Sequence, residues 1–149
     1  MRKINIIYAG GIKTQEKYYQ ETVNEYIKRL SRDFTVTNRE IKEDTDIKTE
    51  GKKILEKINP NAFKIALCVE GKKLSSEDFA SLLYSRGELC SSVDFIIGSS
   101  HGLSDEVKKS ADYLLSMSDM TFTHRLARVM LMEQIYRAYA IETGKKYHK

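Results

Sequence analysis

The stretch SVDFIIGSSHGLSDEV, residues 92–107, and the run DYLLSMSDMTFTHRLARVMLMEQIYRAYAIETGKKYHK, residues 112–149, decide the fold that we predict for this chain. An apolar strand runs into a loop bounded by Gly98 and Gly102, and a second apolar run opens into the loop 117–122, which a long helix follows. In an open parallel sheet, ligands bind beyond the carboxyl ends of the strands. Two neighbouring loops of this kind therefore predict one shared pocket.

Outward from this stretch, the chain alternates between short apolar strands and amphipathic helices. Residues 63–69 are nearly all apolar, which is typical of a central strand buried on both faces. The predicted strands are 3–9, 34–37, 63–69, 93–97 and 113–116, and the predicted helices are 15–31, 47–58, 76–89, a short one after Ser104, and 122–143 with Gly144 at its end. This alternation predicts an α/β fold, a mostly parallel sheet with helices on both faces, in a single domain, 1–149.

Composition and charge narrow the class of protein. With 41% hydrophobic and 31% charged residues, no leader-like segment and no apolar run of about 20 residues, we expect a cytoplasmic protein that does not enter a membrane. Cys68 and Cys90 make no metal-type pair, so we interpret them as reduced core thiols. The net charge of +4 is compatible with nucleic acid but does not require it, and solvated surface lysines are the simpler interpretation.

The final helix is unusually apolar. Between Leu126 and Ile141, twelve of sixteen residues are apolar, which indicates burial on most sides. We expect a homodimer through this helix, with Leu131 and Ile135 in the interface; a helix threaded centrally through one domain is the alternative. Glu133 and Arg137 are four residues apart and share a face, as a structural ion pair or as part of a functional site.

Several chemistries lack their motifs. The chain has no GxxxxGK[ST] phosphate loop, no GxSxG elbow and no GxGxxG after its first strand. The histidines at 101, 124 and 148 lie more than twenty residues apart, without carboxylate or cysteine spacing for a metal, so we expect no metal. The remaining possibility is chemistry that needs a shaped pocket but no protein nucleophile. Group transfer from an activated donor is chemistry of this kind.

At this point the residues resemble a known family. The combination of IIGSSHGLS, MTF-H-LARV, EQIYRAY and a terminal YHK closely resembles the ribosomal RNA large subunit methyltransferase H family, small members of the SPOUT class, over the whole chain. Two residues depart from its pattern: Ser99 stands where a second glycine is usual, and Thr123 stands where a proline usually precedes the histidine.

The resemblance implies a fold and a cofactor. It implies a C-terminal trefoil knot, although unthreaded chains are the general rule, and a pocket for S-adenosylmethionine, with no metal. We expect Gly98 to leave the space that this ligand needs, so that Gly98→Val abolishes its binding in a folded protein. The implied cofactor contacts are Leu67, Gly98, Met117, Ser118, Asp119, Met120, Thr121 and Phe122.

The resemblance also implies a substrate, N3 of a pseudouridine in 23S ribosomal RNA, met on the assembled ribosome or large subunit. We expect His148 to take the N3 proton, Arg137 to stabilise the carbonyl oxygens and Tyr147 to contact the base, from a tail that closes over it across the dimer. His124 and Lys149 would contact the substrate, although a structural role for His124 is also open. A non-catalytic α/β module that binds RNA or a nucleotide is the alternative function.

Overall fold

The computed structural model describes residues 2–11 and 16–147 of the chain. In chain order the elements are β1 (Arg2–Ala9), α1 (Lys17–Leu30), β2 (Phe34–Ile41), α2 (Ile47–Lys57), β3 (Phe63–Lys73), α3 (Ser76–Gly87), β4 (Val93–Ile97), α4 (Asp105–Ser110), β5 (Tyr113–Ser116) and α5 (His124–Thr143). The predicted alternation of strands and helices is confirmed. No helix in this described part of the chain is long and apolar enough to cross a membrane.

The five strands form one sheet in the order β2-β1-β4-β3-β5, and every neighbouring pair is parallel. β2 is twice as long as predicted from its β-branched core, because it pairs with β1 along eight residues, from Arg2 opposite Phe34 to Ala9 opposite Ile41. β4 is entirely buried between β1 and β3. This order brings the carboxyl ends of β3, β4 and β5 together at one edge of the sheet.

β3 is irregular where it passes this edge. Its pairing with β5 moves from Leu67 opposite Leu115 to Lys72 opposite the same residue, so the four residues between them leave the ladder. Gly71 lets the strand return, because a Cβ at this position would lie 2.7 Å from the backbone carbon of Leu114. The strand predicted to end at residue 69 therefore continues to Lys73 after this excursion, residues 68–71.

Two apolar layers cover the sheet, one on each face. One layer packs α1, α3 and α5 against the sheet, and the other packs α2 and α4. Leu131 and Ile135 of α5 are fully buried in the first layer. The expectation that these two side chains form a dimer interface is therefore wrong, since both belong to the core of a single chain.

The outward face of α5 carries Leu126, Met130, Glu133 and Arg137, all partly exposed. We call these four residues the α5 stripe. Their spacing of three or four residues places them in one row along the helix. The stripe is one row of α5 that the rest of the chain leaves partly exposed.

Capping residues set the ends of α5. The Thr123 hydroxyl accepts a hydrogen bond from the Leu126 amide (3.3 Å), so the helix begins at His124, two residues later than predicted. Gly144, at φ +72°, ends the helix in the left-handed conformation that glycine adopts without strain. Thr123 thus supplies an N-cap at the position where the family pattern has proline.

Candidate functional site

A cavity of about 720 Å³ lies at the carboxyl ends of β3, β4 and β5. Its walls come from the excursion of β3, the loop after β4, the loop after β5, and the first turn of α5. It contains seven of the eight predicted cofactor contacts: Leu67, Gly98, Met117, Ser118, Met120, Thr121 and Phe122. The pocket predicted from two adjacent loops is therefore present, with a third wall from β3.

The loop after β4 is folded tightly on itself. A Cβ at Gly98 would lie 2.7 Å from the Gly102 carbonyl carbon and 3.0 Å from Leu103 Cδ2. Gly102 has φ +79°, and its amide donates to the Ser99 carbonyl (2.9 Å). A side chain at Gly98 would thus displace the loop itself. A loss of binding in Gly98→Val would therefore reflect the displaced loop as well as the space taken from the ligand.

Ser99 connects this loop to α2. Both its amide and its hydroxyl donate to Glu50 Oε1, at 3.3 and 2.9 Å, and both residues are buried. The hydroxyl, absent from the glycine of the family pattern, gives this loop a second hydrogen bond to the helix. Glu50 lies 49 residues earlier in the chain, and no sequence pattern marked it as part of the site.

The excursion of β3 forms the second wall. Cys68 lines the cavity and is only partly buried, so the interpretation of this residue as a core thiol is wrong. Burial nevertheless raises the pKa of its thiol, which keeps it protonated and a poor nucleophile at neutral pH. Glu70 forms an ion pair with Lys108 of α4, which attaches the excursion to the neighbouring helix.

The loop after β5 supplies the largest apolar surfaces of the cavity, Met117, Met120 and Phe122. The Met120 amide donates to the Ser118 hydroxyl (3.0 Å), which shapes the turn. Asp119 is the predicted contact that the structure places outside the cavity: it is exposed and forms an ion pair with Lys73. Its side chain belongs to the outer rim, because the turn directs it towards β3.

The first turn of α5 forms the last wall. His124 is half-buried and lines the cavity, and its Nε2 has no hydrogen-bond partner among the described residues. Burial, reinforced by the charge of Arg125, lowers the pKa of His124, which favours a neutral imidazole. Arg125 donates to the Gly11 carbonyl (3.0 Å) and pairs with Glu16, so it connects the loop after β1 to the cavity wall.

Arg137 and Tyr147, two of the predicted catalytic residues, lie together but not in the cavity of their own chain. Arg137 is thirteen residues beyond His124 on α5, or about 20 Å along the helix. Both residues donate to Glu133, from Arg137 Nε to Oε1 (2.9 Å) and from the Tyr147 hydroxyl to Oε2 (2.6 Å). The Glu133–Arg137 pair predicted from their spacing is confirmed.

The Tyr147 phenol is held in its protonated form. Its hydrogen bond to Glu133, together with burial, raises its pKa far above the ordinary value. The Arg137 guanidinium carbon lies 4.9 Å from the centre of the Tyr147 ring, which Tyr136 also contacts edge-on. The single phenol proton of Tyr147 is thus donated to Glu133, and its ring is available for stacking. His148 and Lys149, the remaining predicted site residues, lie outside the described residues.

Within residues 2–11 and 16–147, no group of three or more histidine, cysteine or carboxylate side chains is arranged to hold a metal ion. The cavity lining combines backbone groups, hydroxyls and thioethers with the thiol of Cys68, two imidazoles, and the charged side chains of Glu70, Lys108 and Arg125. This set suits an organic ligand with an apolar ring and several polar edges.

Comparison with known proteins identifies the relatives of this chain. A family model described as "Predicted SPOUT methyltransferase" matches residues 2–148. Proteins named Ribosomal RNA large subunit methyltransferase H are similar over their whole length. The one from Clostridioides difficile is 48% identical and the one from Caldicellulosiruptor bescii 45%, each over 98% of this chain and 99% of the relative. The one from Oenococcus oeni is 40% identical over 100% of both chains.

Proposed function

This chain belongs to the ribosomal RNA large subunit methyltransferase H family of SPOUT methyltransferases, and on that basis we propose that it transfers a methyl group from S-adenosylmethionine to N3 of a pseudouridine in 23S ribosomal RNA. The observation that carries the proposal is the cavity at the carboxyl ends of β3, β4 and β5. The three loops around it contain the residues that the family resemblance associates with the cofactor. The trefoil knot remains a prediction of that resemblance.

The cavity fits this cofactor in size and chemistry. Its volume of about 720 Å³ lies within the range of small-molecule sites, roughly 300–1,000 Å³. Leu67, Met117 and Phe122 would contact the adenine and the sulfonium region, since apolar and polarisable side chains suit both. The backbone of Gly98 and the hydroxyls of Ser118 and Thr121 would hold the ribose and the amino-acid portion.

When bound, S-adenosylmethionine supplies an electrophilic methyl group on a sulfonium. N3 of the uracil ring becomes a nucleophile once it loses its proton, so the protein needs a proton acceptor and no covalent adduct. The protonated thiol of Cys68 agrees with this requirement. His148 has the intrinsic pKa for the proton transfer, and Arg137 would stabilise the negative charge on the adjacent carbonyl oxygens. Tyr147, whose phenol proton is donated to Glu133, would orient the base by stacking or by accepting a hydrogen bond.

The position of Arg137 and Tyr147 supports a composite site in a homodimer. The α5 stripe is partly exposed, and Met130 lies near its middle. In a two-fold dimer formed by antiparallel packing of this stripe, residues equally far from the crossing point meet. Arg137 is seven residues after Met130 and His124 is six residues before it. The Arg137 and Tyr147 of one protomer would therefore approach the cavity of its partner.

Charges around the cavity support an RNA substrate. Lys108 lines the cavity and Lys73 pairs with Asp119 of the loop after β5; each lysine is paired with a carboxylate that a phosphate would replace. His124, being neutral, would contact the nucleotide through hydrogen bonds and not as a cation. A chain of 149 residues with a net charge of +4 offers little surface for a long RNA. We therefore propose that the substrate is the assembled ribosome or large subunit.

Two measurements test the function. Calorimetry should detect saturable binding of S-adenosylmethionine. With a tritiated methyl donor, the protein should label ribosomes from a strain that lacks the endogenous enzyme, and mass mapping should locate the methyl group on N3 of one pseudouridine. Binding without transfer would favour the alternative, a non-catalytic binding module, and equal rates on a free RNA hairpin would contradict the requirement for an assembled particle.

A further inference from the structure

Glu50 is a buried carboxylate in the first turn of α2 that no sequence motif singled out. Only 1% of its surface is exposed, and it is not among the residues that line the cavity. It accepts three hydrogen bonds: from the Ser99 amide, the Ser99 hydroxyl and the Asp44 amide (3.0 Å). Among the described residues it forms no ion pair, so its partners are these neutral donors at the amino-terminal end of a helix.

The neighbouring residue holds the other end of the same loop. A Cβ at Gly51 would lie 3.0 Å from Ser104 Cβ and 3.3 Å from Val107 Cγ2, so α2 and α4 are in direct contact here. Ser104 accepts a hydrogen bond from the Val107 amide (3.3 Å) and thereby caps α4. Residues 50 and 51 therefore fix the beginning and the end of the loop 98–104, which forms one wall of the cavity.

We propose that Glu50 is a positioning residue for the methyl-donor site: through Ser99, its carboxylate sets the position of the loop 98–102, although Glu50 itself touches no ligand. This inference rests on the proposed function, because it assigns the cavity to S-adenosylmethionine. Gly98 and Gly102 of this loop line the cavity and have only backbone atoms, which cannot adjust by a change of rotamer. Their position therefore depends on what holds the loop from outside.

A carboxylate is needed at this position because two of its partners are backbone amides that can only donate. In Glu50→Gln, the side-chain NH₂ would have to face either the Ser99 amide or the Asp44 amide. The Ser99 hydroxyl can rotate to accept a hydrogen bond, but neither amide can. Glutamine thus keeps the shape of the side chain and places a donor against a donor.

Asp94 provides a matched control at the opposite end of β4. It is fully buried and also accepts three hydrogen bonds, from Asn5 Nδ2 (2.7 Å), the Asn59 amide (2.8 Å) and the Ser92 hydroxyl (3.0 Å). Five residues of extended chain, about 16 Å, separate it from Ser99. Asp94→Asn therefore makes the same change from carboxylate to amide at a buried site far from the cavity.

The test compares S-adenosylmethionine affinity by calorimetry in the wild type, Glu50→Gln and Asp94→Asn, with thermal unfolding of each. We expect both variants to be destabilised, but only Glu50→Gln to bind about tenfold more weakly or worse, the effect of losing one well-formed hydrogen bond. Methyl transfer by Glu50→Gln should show a raised KM for the donor and a kcat close to that of the wild type, since Glu50 contacts no reacting atom.

The outcomes distinguish a failure of the proposed function from a failure of the positioning role of Glu50. If the wild type does not bind S-adenosylmethionine, the proposed function fails. If the wild type binds and Glu50→Gln binds equally well, or if Asp94→Asn weakens binding to the same extent, only the positioning role of Glu50 is overturned. Should Glu50→Gln not fold, Ser99→Ala removes the hydroxyl bond alone and should weaken binding about threefold; unchanged affinity in that variant would overturn the role.

Discussion

Met130→Glu should disrupt the proposed dimer and so separate the cavity of one protomer from the Arg137 and Tyr147 of its partner. Met130 is partly exposed on the α5 stripe, so a glutamate there should change the stability of one chain by no more than about 0.5 kcal/mol. In a dimer formed through the stripe, two symmetry-related glutamates would be buried without partners, at roughly 3–5 kcal/mol each. A total near 6 kcal/mol weakens association about 10⁴-fold, which would move a nanomolar dimer to about 10 µM.

Leu131→Ala is the matched control on the next residue. Leu131 is fully buried in the layer of α1, α3 and α5, and its truncation should cost about 3 kcal/mol. For a chain of 149 residues this corresponds to a fall in Tm of roughly 6–12 °C. The association should not change. The pair of variants therefore distinguishes loss of the core from loss of the interface.

Sedimentation, calorimetry and methyl transfer complete the experiment. At micromolar concentration Met130→Glu should be monomeric and should bind S-adenosylmethionine as the wild type does, because each chain contains a whole cavity. Methyl transfer should fall at least ~100-fold, the scale for losing positioned acid–base groups. A monomeric variant that methylates ribosomes at the wild-type rate would refute the composite site, and a variant that stays dimeric would refute the stripe as the interface.

Three further predictions concern single side chains. Phe122→Ala should weaken donor binding about tenfold, the effect of losing roughly 50 Å² of apolar contact at 25 cal/mol/Å²; Leu89→Ala, at a site that is 83% exposed, should leave the affinity unchanged in the same titration. Burial lowers the pKa of His124 in the folded protein below its value in the unfolded chain, about 6.5. The neutral imidazole therefore contributes its full stabilisation above pH ~6.5, and this stabilisation is lost as the pH falls through the lower pKa of the folded protein. Urea unfolding at pH 7 and pH 5 should therefore show a smaller loss of stability in His124→Gln than in the wild type, and an identical loss would contradict a neutral buried imidazole. Tyr147→Phe should slow methyl transfer without changing the shape of the pH–rate profile between pH 6 and 9, because its raised pKa keeps the phenol protonated; loss of a limb of that profile would identify Tyr147 as the base.

The fold was predictable wherever a local pattern determines it. The alternation of apolar strands with amphipathic helices, and the caps Ser104 and Gly144, lie within a few residues of the elements that they define. The full length of β2 and the excursion of β3 were not predictable, because each depends on a partner strand that is remote in sequence. The order of the strands was not predictable for the same reason.

The candidate site was likewise predictable only where a local motif contains its residues. The loop 117–122 is a contiguous motif, and the family resemblance located it directly; only the direction of Asp119, set by its ion pair with Lys73, needed the structure. Glu50 could not be predicted from a motif, since it lies in α2, 49 residues before Ser99, and contacts Ser99 only in the folded chain. Arg137 and Tyr147 were selected by motif, but their separation from the cavity of their own chain depends on the length of α5.

The order of elements along the chain also has a consequence for folding. α5 is the last element of the described fold, yet it fills the space between α1 and α3 and supplies fully buried side chains to their layer. Contacts between elements so distant in sequence slow folding, because loop closure precedes the gain from burial. A chain that has formed its first four strands but not docked α5 would expose the apolar faces of α1 and α3. Such an intermediate would be prone to aggregation, and its lifetime would limit the yield of folded protein.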